Sequence, residues 1–274
     1  MIADREEEQL PPPAPRSSRR SVAGSSPWCQ RSKTVTVAGN ALYSEKSVRF
    51  PQTSLTACYS SPMDLTNTDI NVLAAQLRKP EGEFGNDVGA AMAHFNMSAI
   101  AFTIECLQIQ PGDHLLEIGF GPGEAIAEAV RLTPHGYIAG IDHSSAMLTI
   151  AEQRNHRAIM QEHVELTLGD ARKLPYEDDS FDTVFAVNVF HFWPDSTREL
   201  AECRRVLKSG GRIVFFLTHP SSWLPGIRDT GVFVAREAED VEKILVTAGF
   251  GNVQSHTTKT EPDGKGFVVM GQKE

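Results

Sequence analysis

Glycines stand at 119, 121 and 123, where the apolar run of LLEIGFGPGEAIAEAV (residues 115–130) gives way to a helical pattern. A backbone this bare at a strand end lets a ligand approach closely. The neighbours narrow the ligand. A GxGxxG dinucleotide fingerprint would put its third glycine at 124, which is Glu124, and the Lys-Ser/Thr pair of a phosphate loop is absent. Glu117, two residues before Gly119, would repel a pyrophosphate by roughly a few kcal/mol at short range and intermediate dielectric. The same carboxylate attracts an ammonium or a sulfonium. Asp142 closes the next strand pattern, GYIAGID, where an acidic side chain can accept both hydroxyls of a ribose. Asp170, after a third strand pattern, can accept from the exocyclic amine of adenine while the Ala171 amide meets a ring nitrogen. Plainer readings exist for each: a tight turn with no ligand, and a helix-capping Asp142.

With phosphate contacts missing from this inventory, the turn suits an amino acid joined to an adenosine, that is, S-adenosylmethionine. Strand and helix patterns must place these groups. Strands are predicted near 114–119, 137–141, 164–168, 182–187 and 212–217, and helices near 123–132, 145–158 and 196–208. The alternation predicts an α/β fold, a doubly wound, mostly parallel sheet with helices on both faces. In STRE, Ser196 and Glu199 match a capping box, and SGG ends that helix. The C-terminal stretch reads as a helix stopping at Gly249, then two strands about PDGKG that form an antiparallel edge. Upstream, DLTNTDINVLAAQLRKP puts Ile70, Leu73, Ala74 and Leu77 on one helical face and stops at Pro80. Helical stretches at 86–94 and 97–108 follow.

A chain of 274 residues can bury a sizeable core, and no apolar run approaches the length of a membrane span. Net charge is −9, split as about +3 over residues 1–62 and about −12 over the rest. An acidic body argues against general affinity for a nucleic-acid backbone. Cys29, Cys58, Cys106 and Cys203 form no CxxC, and the histidines form no zinc pattern. Residues 1–62 are rich in Pro, Ser and Arg without sustained apolar periodicity, which predicts a disordered extension. Its acid-poor, Arg- and Ser-rich stretch from residue 10 resembles a transit peptide, although DREEEQ at the start fits badly. The expected location is cytoplasmic, or a mitochondrial or plastid matrix if that leader is real. The organisation expected is an extension (1–62), helices closing over the cofactor (63–110) and a core (111–274).

LLEIGFGPG, GID, LGDARKLPYEDDSFDTVFAVNVFHFW and ECRRVLKSGGRIVF together resemble, in order and spacing, the motifs of class I S-adenosylmethionine-dependent methyltransferases. The similarity is strongest to the small-molecule branch that includes the ubiquinone/menaquinone-biosynthesis type, and it covers about residues 84–271. It implies a Rossmann-like seven-stranded sheet with an antiparallel last strand. It also implies that Glu117, Gly119 and Gly121 face the methionine part, Asp142 the ribose, Asp170 and Ala171 the adenine, and Asn188 the methionine end, with His143 among the cofactor-binding residues. FGNDVGAAMAHFN resembles the segment that closes over the cofactor, with Asn96 a weaker contact.

Methyl transfer is an in-line displacement that relies on positioning, and a base is needed only if the nucleophile must lose a proton. His191, in NVFHFWPD, is the candidate base; a packed histidine is the alternative. Phe190, Phe192 and Trp193 suggest an apolar wall, with helix packing under the sheet as the alternative, and Trp193 and Trp223, the latter in the 218–233 segment, are the candidate substrate contacts. The Asn/Asp-Pro-Pro-aromatic tetrad of amino-methylating nucleic-acid enzymes is replaced by VNVF. The expected acceptor is therefore a small organic molecule. The competing readings are an NAD(P)-dependent oxidoreductase, which Glu117 and Glu124 oppose, and a non-catalytic S-adenosylmethionine-binding protein.

Overall fold

The structure, a computed structural model, describes residues 68–260 and 264–274. The expected extension and leader lie outside those residues, as do Cys29 and Cys58. Three helices come first: α1 (Ile70–Arg78), α2 (Gly82–Phe95) and α3 (Met97–Leu107). The alternating part follows with β1 (His114–Ile118), α4 (Glu124–Leu132), β2 (Tyr137–Asp142), α5 (Ser145–Met160), β3 (Val164–Leu168) and β4 (Phe181–Val187). It continues through α6 (Thr197–Val206), β5 (Leu207–Thr218), α7 (Ala238–Thr247), β6 (Phe250–Thr260) and β7 (Gly264–Lys273).

The strands form one sheet in the order β3-β2-β1-β4-β5-β7-β6. β1 to β5 pair in parallel, while β7 runs antiparallel to both β5 and β6. This is the expected Rossmann-like sheet with its reversed last strand. Successive residues of a strand face opposite sides, so nearly continuous apolar strands fill two core layers. Leu116, Ile118, Val184, Ala186, Ile213 and Phe215 face α6 and α7. Leu115, Ile138, Phe185, Val187, Val214 and Phe216 face α3, α4 and α5. Cys203 is buried in the first layer. Among the described residues, no single helix is long and apolar enough to cross a membrane.

α6 departs from expectation at both ends. Ser196 has φ −94° and ψ 7°, away from the extended geometry that aims a cap side chain at the helix, and it makes no capping bond. Asp195 accepts from the Thr197 amide instead, at 3.0 Å. Glu199, free of the capping role, turns inward and is only 7% exposed. At the other end the helix stops before SGG, because Leu207 is already extended (φ −71°, ψ 138°) and pairs with Phe181. The ladder then shifts register and resumes at Thr183–Arg212, with Gly210 at φ +77° taking up the slack.

Phe215 binds the sheet to the turn after β4, lying 5.0 Å from the Phe190 ring and 5.8 Å from Trp193. Phe215→Ala should cost about 3–5 kcal/mol through lost burial and a residual cavity. Urea denaturation, with the midpoint falling at constant slope, checks this.

Candidate active site

β1 lies between β2 and β4, where the strand order reverses, and ligands of open α/β sheets bind outside the strand carboxyl ends at such a point. The chain leaves β1 through the three glycines, all with positive φ: 68° at Gly119, 52° at Gly121 and 85° at Gly123. A Cβ on Gly119 would sit 2.5 Å from Val189 Cγ2, and one on Gly123 would sit 2.7 Å from Asn155 Nδ2. The first glycine thus admits the β4 turn, and the third seats α4 against α5.

Asp142 organises the turn. Its Oδ2 accepts from the Gly121 amide (2.9 Å) and its Oδ1 from the Ser144 amide (2.8 Å). Ser144 Oγ caps α5 through the Met147 amide and donates to the Pro80 carbonyl at 2.5 Å. His143 Nε2 meets the Arg78 carbonyl at 2.9 Å. The end of α1 is therefore tied to the strand end that carries Asp142. Each Asp142 oxygen keeps a lone pair for a hydroxyl.

The turn opens on a cleft of about 860 Å³, in the range of small-molecule sites. Of the expected site residues, Gly119, Gly121, Asp142, His143, Asp170, Ala171, Asn188 and Trp193 all line it. Glu117, Trp223 and His191 stand behind its surface. Glu117 is 2% exposed and its Oε2 has no hydrogen-bond partner. Burial first, and then the negative neighbours Glu124 and Asp142, hold its carboxyl well above the usual range. Glu124 is itself ion-paired to Arg154. An orphaned acidic side chain under a glycine turn fits a ligand that brings a positive donor, and so fits the amino-acid end of S-adenosylmethionine. Asp170, half exposed, is engaged by Arg172, whose Nε lies 3.0 Å from each carboxylate oxygen. Asn188 (φ 56°) donates to Asn96 Oδ1 (3.0 Å) and accepts from the Thr218 amide (2.8 Å). It rivets the α2–α3 junction to the end of β5. Met92 and Asn96, both on the cleft, come from the helical segment expected to close over the cofactor.

Phe192, Trp193 and Val232 form the other wall. Behind it His191, 3% exposed, stacks on Phe233 at 4.7 Å, with Phe192 at 4.3 Å and Trp223 at 5.8 Å. Burial, reinforced by the Arg236 charge, lowers its pKa to about 3, and its Nδ1 has no partner. Such an imidazole is neutral and a poor proton acceptor. Trp223 Nε1 donates to the Thr218 carbonyl at 3.1 Å. Arg236, 7% exposed, donates to the carbonyls of Phe190 (3.0 Å), Trp193 (2.5 Å) and Pro194 (3.5 Å) and lies 4.9 Å from the Phe190 ring centroid. Sequence reasoning missed Arg236, Glu199 and the Arg78–Pro80 strap. Only Glu199 carried a signal, as an acidic residue beside the Leu200/Cys203 face. Among the described residues, no group of three His, Cys, Asp or Glu side chains could hold a metal ion.

Residues 116–215, which hold this turn together with Asp142, Asp170, Asn188 and Trp193, match the family described as a methyltransferase domain. The chain carries a class I S-adenosylmethionine-dependent methyltransferase domain. It is 34% identical over 124 residues to the uncharacterized methyltransferase YdaC of Bacillus subtilis, covering 45% of this chain and 66% of that one. It is 40% identical over 108 residues to the demethylmenaquinone methyltransferase of Thermotoga maritima, covering 39% and 44%. The chain thus spans less than two thirds of the length of the curated relatives it matches. A solved structure of Haemonchus contortus phosphoethanolamine N-methyltransferase 2, with phosphomonomethylethanolamine and S-adenosylhomocysteine, shares the fold. Its TM-score is 0.61 at 15% identity, over 74% of this chain and 60% of that one.

Folding favours protonated Glu117, so that contribution is complete below the ordinary carboxylate range and is lost as pH rises toward the raised value. Wild-type stability without ligand should therefore fall on that rise, by up to about 1.4 kcal/mol per pH unit. Glu117→Gln should lose that share of the slope. Melting curves from pH 4 to pH 8 would show the variant gaining on wild type as pH increases.

Proposed function

We propose that this methyltransferase moves the methyl group of S-adenosylmethionine onto a small organic acceptor, with catalysis by positioning. The observation that carries the reading is the orphaned Glu117 carboxylate beneath a glycine turn whose next neighbour, Asp142, is already oriented for a ribose. When bound, S-adenosylmethionine supplies a methyl on a sulfonium whose leaving group departs neutral.

The chain's own residues do the rest. Glu117 balances the amino-acid ammonium, and Asp142 fixes the ribose and with it the direction of the methyl. The Asn188–Asn96 contact holds the helical segment over the methionine end. Phe192, Trp193 and Val232 exclude water and give the acceptor an apolar face, which suits a planar or greasy molecule better than a charged one. Holding nucleophile and methyl about 3–3.5 Å apart can remove on the order of 7–11 kcal/mol of barrier. The demethylmenaquinone and 27-O-demethylrifamycin SV methyltransferases among the relatives support a small organic acceptor. Glu117 opposes the dinucleotide alternative, since a pyrophosphate would meet it at the turn.

Saturation with S-adenosylhomocysteine at a hundred times its dissociation constant should raise unfolding stability by about 2.7 kcal/mol, while NAD adds nothing. A melting shift with NAD and none with the adenosyl ligands would overturn the reading. His191→Phe should keep turnover within a few fold, because the ring serves the aromatic wall. A drop of about a hundredfold or more, with a changed pH profile, would instead mark it as a proton acceptor.

A further inference from the structure

The polarity of one pair of side-chain amides on the cleft is dictated by a backbone group behind it. The Thr218 amide, at the end of β5, can only donate, and it bonds Asn188 Oδ1 at 2.8 Å. The other arm of Asn188 is therefore its NH2, which faces Asn96 at 3.0 Å, so Asn96 receives it on Oδ1. What Asn96 has left is its own NH2. Among the described residues no group accepts from that nitrogen, and Asn96 lines the cleft, half-buried. Unlike the sealed oxygens of Glu117 and Glu199, this nitrogen is not closed off. A one-way relay thus runs from the end of β5 through two side chains and finishes on a donor.

Its position says which ligand it meets. Met92 covers the glycine turn, its Cε lying 3.7 Å from where a Cβ on Gly121 would stand. Asn96 is one helical turn further along α2, about 6 Å by the rise of an α-helix. There it is tied to the ends of β4 and β5. The chain that leaves those same two strand ends carries Phe192, Trp193 and Val232, the apolar wall. The donor therefore stands between the turn and the wall. A neutral N–H beside an apolar wall selects an oxygen on an otherwise greasy molecule. A group that can only donate would leave two hydrogens opposed and unpaired.

We propose that Asn96 sets specificity for the methyl acceptor by donating to a carbonyl or hydroxyl oxygen on it. This rests on the methyl-transfer reading above and narrows the acceptor to apolar molecules that carry such an oxygen. Asn188 acts behind Asn96 as a positioning residue, since reversing its polarity would turn the Asn96 amide over. At φ 56° it occupies the left-handed region that Asn and Asp tolerate better than most residues, so an aspartate can stand in its place.

The test loads the whole chain with S-adenosylhomocysteine and titrates two bicyclic probes of similar size, followed by ligand-observed NMR. The polar atom of 1-indanone only accepts, and that of indole only donates. Wild type should favour 1-indanone by about two- to tenfold, the range of one neutral hydrogen bond. Asn96→Asp keeps an oxygen for Asn188 but loses the donor, and should shift the preference to indole. Asn188→Asp should do the same with Asn96 intact, because Asn96 must then give its NH2 to the new carboxylate and turn Oδ1 to the cleft. Loosened helices would weaken both probes alike and leave the ratio unmoved. An even ratio in wild type overturns the proposal, and so does a ratio that either variant leaves unmoved. The cofactor's own carboxylate is the rival claimant. A preference for 1-indanone that appears only when 5′-methylthioadenosine, which lacks that carboxylate, replaces S-adenosylhomocysteine gives the amide to the cofactor and overturns the proposal too. If wild type binds neither adenosyl ligand, the methyl-transfer reading fails first and takes this one with it. If it binds them and the probes are not told apart, only this inference falls.

Discussion

The arrangement depends on where one carboxylate spends its lone pairs. Asp142 accepts from Gly121 on one side and from Ser144 on the other. It thereby locks the turn after β1 to the start of α5. Ser144 passes the constraint on to Pro80, and His143 reaches Arg78 beside it. Three stretches distant in sequence, 78–80, the turn at 121 and 142–144, are held in register around one side chain with little freedom of its own. A hydroxyl-bearing ligand meets an acceptor whose direction was fixed on folding, so little ordering entropy remains to oppose binding.

Around that fixed point the cleft has two characters. One part is built from backbone turns and acidic side chains, and Glu117 and Glu199 there each have an oxygen without a hydrogen-bond partner. The other is built from Phe192, Trp193 and Val232. Unpaired buried carboxylates oppose folding, and they persist because the two core layers supply enough apolar burial to tolerate them.

Much of this was legible in the residues because it is local. The glycine spacing, the acidic strand ends and the alternation of strands with helices each sit within a few positions, and the sheet's reversed last strand followed from the terminal strand pair. What stayed hidden depends on distant partners. Whether Ser196 caps α6 or Glu199 turns inward is decided by how that helix rotates against the loop carrying Leu174 and Tyr176. That His191 is dry is decided by Trp223 and Phe233, more than thirty residues on. The early start of β5 was masked by SGG, which reads locally as a helix stop but here absorbs a shift in strand pairing.

The buried guanidinium of Arg236 has a consequence for how such a cleft can change. By gripping three carbonyls of the short stretch 190–194, it works as a keystone: the main chain there cannot sag or swing without abandoning a cation in a dry interior. Exchanging the side chains at 192, 193 and 232 would then recontour the wall while the arch beneath it keeps its course.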